Sequence, residues 1–174
     1  MTKTFYKVRE IKDLRDLISQ SAQLYADRPA FEVKTSEGNL YEITYKTYFE
    51  QIQALGTALT DMGLTGQKIA VGGDNCYHWC LSYMATVTGV GVIVPVDKEL
   101  LFDDINNILN TADVKLFFCD KKIARKLNAR KDEIKKDLTI VAMNGKKEEG
   151  ILHIDDLVAK GKELLASGDT RYLN

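Results

Sequence analysis

Between residues 68 and 143, short apolar runs alternate with stretches whose apolar residues recur at helical spacing, and this constrains the fold most. Ile69-Ala70-Val71 leads into a helix over 77–88, a run over 90–94 into a helix over 102–111, and a run over 116–119 into a charged helix over 121–136, before a last run over 138–143. Strands that alternate with helices are joined by right-handed crossovers and pair in parallel. The reading is α/β, with a mostly parallel sheet of about four strands.

Ahead of that core, Leu14, Leu17, Ile18, Ser21 and Tyr25 mark a helix over 14–25 with Asp13 as its cap, which Pro29 stops. Runs over 30–34 and 40–43 flank the turn-like Thr35-Ser36-Glu37-Gly38-Asn39 and predict a hairpin. Thr44 caps a second helix carrying Tyr48, Ile52, Leu55, Leu59 and Met62, which Gly63 ends. After 143 come a polar loop over 144–150, the run 151–154 and a helix over 156–166. The chain thus divides into 1–66 (helix, hairpin, helix), 67–143 (the sheet core) and 144–174 (loop and C-terminal helix).

At 174 residues and 45% apolar content, the chain can bury one sizeable core. Its 24 basic and 25 acidic residues give a net charge of −1, which creates no global field to recruit nucleic acid or an anionic membrane. The stretch 76–96 lacks Asp, Glu, Lys and Arg, but Gly89, Gly91, Pro95 and His78 interrupt it. It reads as a buried helix and strand rather than a transmembrane segment. Residues 1–7 show no signal-peptide pattern, and three unevenly spaced cysteines suit a reducing cytoplasm.

Gly72-Gly73-Asp74-Asn75 follows a strand and opens a helix, where α/β proteins place phosphates. Neither dinucleotide nor phosphate-loop spacing is present, so the bland reading is a turn with Asp74 or Asn75 as helix cap. Cys76 and Cys80 share a helix face, but His78 does not, and buried apolar roles fit them better than zinc or nucleophilic chemistry. Asp103-Asp104 and Asp155-Asp156 open helices, where the dipole favours them. The eight basic residues over 121–136 read as a solvated outer face, without the aromatic interleaving that stacks bases. No catalytic or metal-ligating residue is identified; Asp74, Asn75 and Trp79 are the crevice candidates.

The order of several short pieces is more telling than any one of them. Asp27-Arg28-Pro29-Ala30-Phe31 precedes Thr44-Tyr45, then Asp61-Met62-Gly63-Leu64, Gly66-Gln67-Lys68-Ile69-Ala70-Val71 with Asn75 and Trp79, Gly91-Val92-Ile93-Val94-Pro95-Val96-Asp97 and Ile108-Leu109-Asn110. This order resembles the N-terminal portion of AMP-forming acyl-CoA synthetases, most of all the long-chain fatty acid:CoA ligases, over nearly the whole chain. Val92 and Gly72-Gly73 depart from the residues usual there.

The resemblance implies a parent enzyme that activates a fatty acid with ATP and magnesium to an acyl-adenylate and transfers the acyl group to CoA. The family's Ser/Thr/Gly-rich ATP loop and later acidic and basic motifs do not occur in this chain. The expectation is a structural subdomain, inactive alone, whose exposed apolar surface favours homo-oligomers. The alternative is a free-standing α/β binding or interaction module without catalysis.

Overall fold

The computed structural model describes residues 8–35 and 38–174; the reading of residues 1–7 and the middle of the hairpin turn lie outside them. The elements run α1 (Leu14–Leu24), β1 (Pro29–Lys34), β2 (Leu40–Thr44), α2 (Tyr45–Asp61), β3 (Lys68–Gly72), α3 (Tyr77–Ala85), a π-helical turn (Thr86–Val90) and β4 (Val92–Val96). There follow α4 (Phe102–Thr111), β5 (Val114–Cys119), α5 (Lys121–Ala129), β6 (Thr139–Ala142), β7 (Leu152–His153) and α6 (Ile154–Ala166). β1 and β2 form the expected antiparallel hairpin. Two of the expected caps are made: Asp13 accepts from the Asp16 N–H (2.7 Å) and Thr44 Oγ1 from the Thr47 N–H (3.2 Å).

The main sheet has the order β4-β3-β5-β6-β7, with every pair parallel. It therefore holds five strands among the described residues, one more than the sequence suggested. The additional strand is only two residues long, and its membership rests on the register Val141↔Leu152 and Ala142↔His153. A pair so short leaves no periodicity to read.

Both faces of the sheet are covered. Ile69, Val71, Leu116, Phe118 and Val141 point into a core closed by α2, α3 and α6 through Ile52, Leu55, Leu59, Leu81, Ile154 and Leu157. Their neighbours Ala70, Phe117, Cys119 and Ala142 meet α4 and α5 through Phe102, Ile105, Leu109, Ile123 and Leu127. Burial on both faces explains why the strands read as continuous apolar runs.

Two helices are shorter than their patterns predict. The helix expected over 77–88 gives way to the π-helical turn after Ala85. Here Ser82, Thr86 and Thr88 hydroxyls bond back to the carbonyls of His78, Ser82 and Met84, and the Gly91 N–H reaches the Thr86 carbonyl. Such back-bonding competes with the regular ladder, and the widened turn delays β4 to Val92. The helix expected over 121–136 ends at Ala129. Arg130 turns out of it to lie 3.6 Å from the Phe102 ring and to pair with Glu133, letting Ile134 and Leu138 pack on the second core.

α2 and α6 approach so closely that a Cβ at Gly161 would overlap the Ala54 carbonyl oxygen. Gly161→Ala sets a helix-propensity gain of up to about 1 kcal/mol against overpacking of about 1–3 kcal/mol. Because the obstacle is backbone, overpacking prevails, and the variant is expected to show a lower urea midpoint than the wild type.

Candidate functional site

In parallel sheets, ligands collect beyond the carboxyl ends of the strands, where the strand order reverses. Here that point lies between β3 and β5, since the chain runs from β3 outward to β4 and then crosses back to β5. Gly73, with φ +139°, brings the loop after β3 so near β5 that a Cβ would lie 2.5 Å from the Asp120 carboxyl carbon.

Asp120 follows β5 and is almost buried. Its Oδ2 accepts from the Asp74 N–H (2.7 Å) and its Oδ1 from Asn144 Nδ2 (2.8 Å), while Asn144 Oδ1 accepts from the Lys121 N–H (2.9 Å). One carboxylate thus ties together the loops after β3, β5 and β6. Asp120 itself makes no capping bond to α5, whose first N–H, that of Lys121, is met by Asn144 instead.

Beside this tie opens a cleft of about 320 Å³ lined by Asp74, Lys98, Leu100, Asp120, Lys122 and Lys126. Lys98, just past β4, pairs with the Asp74 carboxylate. Hydrogen bonding and charge from Lys98 hold that carboxyl below the usual carboxylate range, with a smaller contribution from Lys122. Lys122 and Lys126 are one helical turn apart and make no ion pair among the described residues. Lys121 and Arg125 share Glu148, and Lys135 pairs with Asp113. Arg130 pairs with Glu133, and among the described residues Lys122, Lys126, Lys131 and Lys136 make no ion pair; of these four, Lys122 and Lys126 face the cleft.

The three crevice candidates do not converge. Asp74 lines the cleft, but it does not cap α3. Cys76 holds that position without a side-chain bond, and Asn75 does not cap it either. Asn75 instead lines a shallow groove with Phe31, Cys76 and Cys80. Trp79 stacks on Tyr83 at 5.4 Å and packs against the first core. Lys98, Asp120 and Asn144 carry no motif in the sequence, and Lys122 and Lys126 enter it only as part of the basic run over 121–136. Their signal was positional, since Lys98, Asp120 and Asn144 all stand within two residues of a strand's carboxyl end.

Burial raises the thiol pKa of Cys76, Cys80 and Cys119, so none is an activated nucleophile. Among the described residues no group of three or more His, Cys, Asp or Glu could hold a metal ion.

Residues 18–171 match the AMP-binding enzyme family. The crotonobetaine/carnitine–CoA ligase of Salmonella heidelberg is 20% identical over 153 residues, covering 86% of this chain and 30% of the relative. The N-terminal domain of FACL13 from Mycobacterium tuberculosis superimposes with a TM-score of 0.67 at 17% identity, over 87% of this chain and 36% of that one. The A-PCP didomain of the carboxylic acid reductase from Segniliparus rugosus, in complex with AMP, gives 0.72 at 14% identity, over 89% and 27%. The architecture is thus that of an adenylate-forming N-terminal domain. The chain belongs to the AMP-binding enzyme family and spans under a third of the length of the curated relatives it matches.

No helix among the described residues is long and apolar enough to cross a membrane.

His78 on α3 places Nε2 3.3 Å from Asp155 Oδ1, at the start of α6. Burial lowers its pKa from the ordinary 6.5 and outweighs the opposing pull of half-exposed Asp155. The folded state therefore binds this proton less readily than the unfolded chain. Its stability is complete above about pH 6.5 and falls as pH drops through the lower folded value. In urea unfolding between pH 7.5 and 5, His78→Gln is expected to flatten part of this slope; an unchanged slope would exclude His78 as its source.

Proposed function

We propose that this chain is the N-terminal part of a fatty acid:CoA ligase, which converts a fatty acid and ATP to an acyl-adenylate and then to an acyl-CoA. The family match and the CoA ligases among its relatives support the reaction class. The observation that carries the chain's own part is the cleft with Lys98, Lys122 and Lys126 at the sheet's switch point. Two lysines free of carboxylate partners on the first turns of α5 suit the phosphates of CoA. Lys98 pairs with Asp74 and lies 3.8 Å from Glu99, while Asp120 keeps its charge among neutral donors, so an anion here depends on Lys122 and Lys126.

Adenylation needs donors and magnesium around the α-phosphate, where charge builds up during attack by the carboxylate. Among the described residues no group of three or more His, Cys, Asp or Glu could hold a metal ion, which supports placing this chemistry outside them. In this reading ATP and magnesium bind elsewhere in the parent enzyme, and this part supports the fold and one wall of the substrate crevice. Three free thiols suit a reducing cytoplasm, and a fatty acid substrate would put the parent enzyme in lipid metabolism. Val92 on the outer strand and Leu101 beside the cleft are exposed, and they favour self-association of the isolated chain.

The 174-residue protein is expected to catalyse no ATP–pyrophosphate exchange above background with any fatty acid; robust exchange would overturn its assignment as a non-catalytic part. In calorimetric titrations at low salt, CoA is expected to bind more tightly than dephospho-CoA, which lacks one phosphate. Lys122→Ala/Lys126→Ala should weaken CoA binding about tenfold, at roughly 0.7 kcal/mol for each exposed cation. Equal binding by the wild type and the double variant would remove the cleft from the proposal.

A further inference from the structure

A second cavity, of about 200 Å³, lies among α1, α2, the π-helical turn and the C-terminal segment, and it shares no residue with the lysine cleft. The π-helical turn leads into β4 and the cleft follows it, so the two sites sit at opposite ends of the sheet. Ile18, Ile52 and the partly buried Phe49 give the cavity an apolar floor. Arg15, Ser19 and Gln53 add polar groups to its lining.

Arg15 is held in place with unusual completeness. Its Nε donates to the Thr88 carbonyl (2.6 Å), Nη1 to the Leu173 carbonyl (3.1 Å) and Nη2 to the Tyr172 carbonyl (2.6 Å). The Tyr172 ring lies 5.0 Å from the guanidinium carbon, and its hydroxyl shares a 2.7 Å hydrogen bond with Thr88. All three acceptors are neutral carbonyls, and no carboxylate pairs with Arg15 among the described residues. Nearby Arg171, in contrast, is matched by Asp61 and Asp169. A guanidinium has five N–H groups, so two remain. A fixed cation without a counter-charge, set over an apolar floor, recognises a small anion with an apolar tail.

We propose that this cavity binds a short-chain monocarboxylate. The carboxylate takes the remaining guanidinium N–H groups, and the tail lies on Ile18, Phe49 and Ile52. Size sets the class: a cavity of about 200 Å³ suits a tail of about four to six carbons better than a nucleotide or a full-length fatty acid. Because Tyr172 and Leu173 line the cavity, an occupant also fastens the C-terminal segment to α1.

The test is a titration of the isotope-labelled 174-residue protein with hexanoate, hexanamide and decanoate, followed by NMR. Hexanoate is expected to shift the Ile18 and Ile52 methyl signals and the Gln53 side-chain amide, and to bind at least tenfold more tightly than hexanamide or decanoate. Arg15→Gln should abolish the preference for hexanoate over hexanamide. If that variant loosens the C-terminal segment, Ser19→Phe supplies the second test, since it fills the cavity without removing a bond of Arg15, and should abolish the shifts while the rest of the spectrum persists. The proposal is overturned by an absence of shifts at these residues, by hexanamide or decanoate binding as well as hexanoate, or by shifts that survive in Ser19→Phe.

Discussion

Everything in this domain depends on removing β3 from water on all sides. Its backbone pairs with β4 and β5, and Ile69, Ala70 and Val71 are fully buried between the two helical layers. A parallel strand in that position can be reached only by crossovers over opposite faces of the sheet. The reversal of strand order between β3 and β5 follows, and with it the gap beyond their carboxyl ends. The candidate site is thus a geometric consequence of the way the core is closed.

What fills that gap is electrostatic. Asp120 spends its carboxylate on the Asp74 N–H and the Asn144 amide rather than on the start of its own helix. Three loops gain a common anchor, and the first N–H of α5 goes to Asn144 instead. Lys98 then pairs with Asp74 and lies beside Glu99 at the rim. Lys122 and Lys126 are left as the lining cations without an ion pair among the described residues, and these are what an anion would meet.

The opposite end of the sheet shows a different economy. Hydroxyls of Ser82, Thr86 and Thr88 divert the helical ladder into a π-helical turn, and that turn presents the Thr88 carbonyl to Arg15. The same guanidinium collects two carbonyls of the C-terminal segment, while Arg171 pins that segment to Asp61. Charge without a matching carboxylate at Arg15, and charge fully matched at Arg171, separate a binding group from a structural one within a few residues.

Most of the architecture was legible in the chain itself. The continuous apolar run that places β3 and the period-3.6 patterns that place α2 and α4 come from residues buried by the element's own geometry, and the caps at Asp13 and Thr44 are local hydrogen bonds. The sequence also carried the ordered pieces by which the AMP-binding family is recognised. Tertiary structure decided the rest. β7 exists only because β6 offers its edge, α5 stops where Arg130 finds Phe102, and Asn75 and Trp79 turn away from Asp74 because the groove and the core claim them. Lys98, Asp120, Lys122 and Asn144 meet across segments far apart in the chain, and no local pattern encodes such a meeting. Periodicity reports what one element buries, whereas a site is made by the order in which strands lie side by side.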